Sequence, residues 1–204
     1  MKNSFVKSIA FVLFALLSCT SIFAQSFTES TFDPTAATRL MLNTDATGIK
    51  AHFAKQGFQE GGIVADGTKR FSGTDKLGAF SIEIATVSLK KGTTTIKLTT
   101  VSLKRGATVE QIVVAQDAIN TYHFENQKVS SKARSSSSKV DDCLAEYLLS
   151  TASNCTSCVS CVTSCVSGNS DWVAKVICSV KCIGSCVSCI SNIVGFVKCV
   201  VKAL

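Results

Sequence analysis

The stretch NCTSCVSCVTSC, residues 154–165, carries cysteines at 155, 158, 161 and 165. A second set stands at 178, 182, 186 and 189, with Cys143 before the first and Cys199 after the second. Thiols at this density have three uses: to close disulfides, to ligate a soft metal, or to hold an iron–sulfur cluster. The run Cys155-x2-Cys158-x2-Cys161-x3-Cys165 has the spacing of a ferredoxin-type cluster motif, but Val166 stands where the usual proline follows. The second set has the reversed spacing. Zinc or copper thiolate binding is a further alternative. Thioredoxin-like exchange at Cys155 and Cys158 lacks its βαβ setting.

The steps of three and four residues decide how the thiols are presented. They gather side chains on one helical face. At about 100° per residue the first set spans an arc of about 120° and the second about 80°. Between them, Val166-Ser167-Gly168-Asn169-Ser170-Asp171 has the composition of a turn, and Asp171 suits the cap of a following helix. Two antiparallel helices then bring the sets face to face. The nested pairs are Cys165 with Cys178, Cys161 with Cys182, Cys158 with Cys186 and Cys155 with Cys189. Cys143 with Cys199 extends the ladder outward. This is a geometric preference, because sequence alone does not fix connectivity. Disulfides bring Cα atoms to about 5.5–6 Å, and the Ser, Thr, Val, Ala and Gly between the rungs are small enough to allow that approach.

The elements upstream set the context. Residues 1–24 read as a secretory signal: Lys2 and Lys7, an apolar run over residues 9–17, then Ser21-Ile22-Phe23-Ala24 with cleavage after Ala24. Leu16-Leu17-Ser18-Cys19 also resembles a lipobox, which would make the product an outer-surface lipoprotein through Cys19 rather than a freely secreted one. Of the eleven cysteines, ten remain once Cys19 has left, all within residues 143–199. An even, clustered set in an exported chain reads as a disulfide framework.

Residues 26–128 are expected to form a small α+β domain, one helix packed on an antiparallel sheet. Leu42, Ala46, Ile49 and Phe53 share one face of a helix over residues 35–58, and Gly61-Gly62 opens a turn. Residues 86–92 (TVSLKKG) recur as 100–106 (TVSLKRG), a period of one strand plus one turn. The alternation in Thr95-Ile96-Lys97-Leu98-Thr99 indicates a sheet with one wet face. Residues 112–114 and 122–124 are further strand candidates. His52 and His123 lack a neighbouring carboxylate or cysteine motif and read as structural. Residues 129–140 form a Ser-rich basic linker in which Lys132, Arg134 and Lys139 are candidate processing points. Residues 141–204 are the all-α, disulfide-rich hairpin.

The net charge of +7 is not gathered into the clustered basic and aromatic pattern that nucleic acid requires, so no nucleic acid is expected. No catalytic set, resident metal or cofactor is implied.

Signal, small domain, linker and ten-cysteine apolar tail together resemble the precursors of halocin-type peptide bacteriocins. The stretch Gly48-Ile49-Lys50-Ala51-His52-Phe53-Ala54-Lys55-Gln56-Gly57-Phe58 is similar to the start of the N-terminal domain in that family, and the tail matches in cysteine number and composition. The resemblance implies that a protease releases the tail and that the N-terminal domain is immunity- or leader-like; in the uncut chain that domain is expected to mask the tail. The tail would then act on a target cell membrane or envelope, with Trp172, Lys175, Lys181, Phe196, Lys198 and Lys202 as candidate contacts. Two other readings of the residues stay open: a secreted or surface-attached interaction module stapled by disulfides, and a thiolate metal-binding protein.

Overall fold

A computed structural model describes residues 27–64, 67–133, 138–149, 155–168 and 171–204. The signal with Ala24 and Cys19, and Arg134 in the linker, lie outside these residues.

The sheet is larger than the small domain expected from sequence. Its eight antiparallel strands are β1 (Phe27–Ser30), β2 (Gln59–Ile63), β3 (Lys69–Asp75), β4 (Gly78–Lys91), β5 (Thr94–Arg105), β6 (Thr108–Gln116), β7 (Asn120–Glu125) and β8 (Lys128–Ala133). They run in the order β1-β3-β4-β5-β6-β7-β8, and β2 pairs with the second half of β4. Gly61 and Gly62 do not open a turn. They lie inside β2 at an irregularity between Glu60 and Ile63, where Gly62 has a φ of 83°. Only glycine takes that backbone angle without strain. The linker reading also gives way in part, since residues 128–133 form β8.

The single N-terminal helix is two helices, α1 (Pro34–Leu40) and α2 (Thr44–Lys55). Asn43 divides them. Its side chain accepts from the Ala46 amide at 2.7 Å and donates to the Leu40 carbonyl at 3.0 Å. A cap of this kind starts a new helix, so Leu42 falls in the connection and is 68% exposed, while Met41 takes its place in the core.

The 14-residue repeat explains how one sheet serves two cores. β4 and β5 pair so that Val87 faces Leu98 and Ile84 faces Val101. Partners in an antiparallel pair share a face, and neighbours along a strand alternate. Val87 and Leu89 of the first copy therefore point to one side, with α1 and α2, while Val101 and Leu103 of the second point to the other. The β5 alternation is likewise two-faced. Ile96 and Leu98 pack under α1 and α2, but Thr99, on the side expected to be wet, is fully buried.

That second side is covered by the C-terminal region: α3 (Ser138–Tyr147), α4 (Thr156–Gly168), α5 (Trp172–Lys181), α6 (Ile183–Cys186) and α7 (Ile193–Ala203). It is more than a two-helix hairpin. The second cysteine set is broken up, with Cys178 in α5, Cys182 at the junction, Cys186 at the end of α6 and Cys189 beyond it, because the chain breaks helix after Lys181. Ser185 donates from its hydroxyl to the Cys182 carbonyl at 3.0 Å, and Gly184 precedes it. Both features weaken a continuous helix. α3 and α7 form an outer pair that carries the Cys143–Cys199 rung.

Candidate functional site: a disulfide ladder docked on the sheet

Ten cysteines close five disulfides: Cys143 with Cys199, Cys155 with Cys189, Cys158 with Cys186, Cys161 with Cys182, and Cys165 with Cys178. The pairs are nested, with sequence separations falling from 56 to 34, 28, 21 and 13. Cα atoms across the rungs lie 4.8–5.7 Å apart, within the range a disulfide spans. Cys158 and Cys186 are fully buried. Every rung begins and ends within residues 143–199, so no disulfide ties this module to the sheet.

The module is held to the sheet by packing and polar contacts alone. The apolar centre of the interface is Phe71, Phe80, Ile82, Ile84, Val101, Leu103 and Val114, set against the buried side chains of the helices. Phe27 stacks on Phe71 with ring centroids 5.8 Å apart, and a Cβ built on Gly184 of α6 would stand 3.4 Å from the Phe27 ring. A methyl group at 184 would sit in close van der Waals contact with that ring.

Four ionic contacts surround this centre. On one side Glu29 of β1 is shared by Lys69 of β3 at 3.1 Å and Lys181 of α5 at 3.5 Å. Lys97 of β5 pairs with Asp171, which caps α5 by accepting from the Val173 amide at 2.8 Å. Glu110 of β6 pairs with Lys198 of α7. The fourth contact is the most enclosed. Asp75, at the turn between β3 and β4, accepts from both Arg105 guanidinium nitrogens at 2.5 Å. It also accepts from the Leu77 amide at 2.8 Å and, across the interface, from the Ile193 amide at 3.0 Å. The Asp75 side chain is 0% exposed. Asn192 caps α7 through the Gly195 amide at 3.0 Å and accepts from Arg105 at 3.4 Å. One carboxylate of the sheet thus holds the first turn of the last helix, where backbone N–H groups favour an anion.

These carboxylates are tuned toward the charged form. Burial by itself would push Asp75 upward, but the Arg105 guanidinium and the Ile193 and Leu77 amides hold it below its ordinary value. Burial also opposes ionisation of Asp171 and Glu29. Lys97 with the Val173 and Ala174 amides prevails at Asp171, and Lys69 with Lys181 at Glu29, so both are lowered.

The other residues singled out by sequence are placed as follows. Trp172 and Phe196 are 3% and 1% exposed, inside the shared core. Lys181 and Lys198 are engaged by the sheet. Lys202 is exposed and Lys175 half-buried. The Lys132 backbone is paired with Thr121 inside the sheet, and Lys139 lies in the first turn of α3. His52 is bonded to Gln56 across one helical turn at 2.7 Å, and His123 lies in β7. No helix among the described residues is long and apolar enough to cross a membrane.

Sequence reasoning missed the Asp75, Arg105 and Asn192 cluster. Asp75-Lys76-Leu77-Gly78 carries a turn signal, Asp first and Gly fourth, which accounts for the aspartate without reference to the tail. Comparison with known proteins finds no matching family model, no matching curated protein and no matching solved structure.

Proposed function

We propose that the chain is an exported two-part precursor of a disulfide-stabilised, bacteriocin-like antimicrobial peptide. The module over residues 140–204 is the active part, and the sheet masks it until the chain is cut between residues 133 and 139. The observation that carries this reading is the separation of covalent from noncovalent bonds. All five disulfides lie inside the module, and the peptide chain alone joins the module to the sheet covalently. A single cut there leaves the peptide's bridges intact.

The masking follows from what the sheet covers. Trp172 is buried beside Thr95 and Lys97 of the sheet in the uncut chain, whereas Phe196 packs on Tyr147 inside the module, and Lys181 and Lys198 are neutralised by Glu29 and Glu110. Release frees both lysines and uncovers the apolar surface that packs on the sheet. Apolar surface beside free lysines suits an anionic lipid interface. The resemblance to halocin-type precursors points the same way.

The test is to express the full chain in an exporting host and to purify both the uncut protein and any fragment starting within residues 133–140. Intact mass under non-reducing conditions reports the cut and the bridges. The reading expects growth inhibition and leakage of anionic vesicles from the fragment, and neither from the uncut chain. An inert fragment with all five bridges formed refutes it.

A further inference from the structure

Two rungs of the ladder crowd one another. The Cys165 sulfur lies 3.5 Å from the Cys182 sulfur, although each is bonded elsewhere. The sulfurs of Cys161, Cys165 and Cys182 all fall within 4.8 Å of one another, the one such group of potential ligands among the described residues. Cys178, bonded to Cys165, completes a set of four. The cause is the spacing. Cys161 and Cys165 are one turn apart on α4, and Cys178 and Cys182 are one turn apart on the facing chain. Consecutive pairs stack with little offset.

We propose that these four thiols, when reduced, form a tetrathiolate site for a soft metal ion of the zinc(II) class. Four sulfurs at about 2.3 Å from zinc stand about 3.8 Å from one another in a tetrahedron. The existing 3.5 Å approach already matches that edge. Opening each rung takes two electrons and two protons: two donor thiols supply both and leave as a disulfide, or a phosphine supplies the electrons and takes its oxide oxygen from water, whose two protons go to the sulfurs. The metal then displaces the four thiol protons. Backbone separations of 5.7 and 5.5 Å across the two rungs need only small changes in side-chain angle. The neighbouring bond between Cys158 and Cys186, fully buried, remains to hold the helices together.

Cys178 lines an open groove of about 570 Å³ together with Asp171, Lys69, Lys97 and Lys181, the lysines being paired with Asp171 and Glu29. The groove gives a reductant or a metal access to Cys178. The four thiols thus have two exclusive states, a closed ladder when oxidised and a metal-bound cluster when reduced. This inference is independent of the precursor reading.

The experiment uses the full chain without oxygen. Thiols are released stepwise with a water-soluble phosphine and counted, and cobalt(II) is added as the visible probe for a tetrahedral thiolate site. The expected result is one cobalt per chain with the thiolate charge-transfer and d–d bands of a four-sulfur site, once four thiols are free. The Cys161→Ser/Cys182→Ser variant should lose these bands, and the Cys155→Ser/Cys189→Ser variant should keep them. Four free thiols without the bands, or equal bands in both variants, overturns the proposal. So does a reduction order in which other rungs open and these two stay closed.

Discussion

Asp75 is the single side chain on which docking of the module should depend most. In Asp75→Asn the shape is kept and the charge removed. The amide oxygen can still accept from Leu77 or Ile193, but the two-pronged contact to Arg105 is lost. Removing one partner from a buried ion pair costs about 3–5 kcal/mol. Arg105 keeps 21% of its side chain in contact with water, so part of its charge rehydrates, and about 2–4 kcal/mol is the better expectation. In urea, with a slope of about 2 kcal/mol per M, the midpoint should fall by about 1–2 M under non-reducing conditions. Arg105→Gln should cost at least as much, because it leaves a carboxylate with no access to water and only two amides to hold it. The double variant should cost less than the sum of the two singles, with a coupling of at least about 1 kcal/mol. The pH dependence supplies an independent check. Asp75, Asp171 and Glu29 are all lowered in the folded chain, so their contribution is complete above the unfolded values of about 3.9 for Asp and 4.3 for Glu. It is lost as pH falls through the lower folded values. The wild-type chain should lose stability over that acid window, and Asp75→Asn should lose less. A midpoint shift below about 0.2 M, or additive singles, would show that the turn is merely near α7 and does not hold it.

The remaining predictions concern the ladder and its release. Chain entropy makes the outermost bridge worth more than a central one, because each rung closes only the chain left free by its neighbours. Replacing Cys143 and Cys199 by Ala reopens about 22 residues and should cost about 3 kcal/mol, while the same change at Cys158 and Cys186 merges two small loops of about 6 and 7 residues and should cost about 2 before cavity effects. Urea midpoints of the two variants compare these directly. Gly195→Ala adds helix propensity but sets a methyl group 2.6 Å from Tyr147 and 2.7 Å from the Asn192 amide. It should lower stability by about 1–2 kcal/mol in thermal unfolding, a net loss despite the better helix former. A trypsin-like protease should cut after Arg134 before it cuts after Lys132 or Lys139, which lie in β8 and α3. Arg134→Gln should therefore delay appearance of the fragment in non-reducing mass spectra, and Lys132→Gln should not.

What the sequence made legible was local. The cysteine steps, the turn before Asp171 and the small residues between rungs are properties of short segments, and they lead to a nested ladder. The strands of the repeat are legible for the same reason. The sheet's second buried face is not. A face that meets another part of the chain through Thr95, Lys97 and Thr99 has the same alternation as a face that meets water. What distinguishes them is a partner more than seventy residues away, Asp171, and strand periodicity carries no information about such a partner. Leu42 misled for a related reason. It keeps helical spacing with Ala46 and Ile49, but the cap at Asn43 resets the helix, and a cap residue two or three positions from an apolar one is easily read as part of the same face. The split between α5 and α6 depends on Gly184 and Ser185, which sequence reasoning used only as small spacers.

Cutting the chain changes the energetics of docking without altering one contact. While residues 134–137 join the two parts, the module meets the sheet at an effective concentration of about 1 mM, typical of a short tether. After a cut, the same contacts must hold against the actual concentration of fragments. At about 1 nM that is a factor of about 10⁶, or about 8 kcal/mol. A dock with a dissociation constant of about 1 μM would be closed in almost every uncut molecule and open in almost every cut one after dilution. Its electrostatic rim weakens further with salt, since exposed pairs such as Glu29 with Lys181 are screened within about 8–10 Å. Under the proposed masking, release of the module therefore needs no conformational change or strain. Cleaved protein should run as one species in gel filtration at tens of micromolar and low salt, and as two at nanomolar concentration or in high salt. A cleaved sample that stays together at nanomolar concentration would mean that the interface is too tight for a cut alone to release the module.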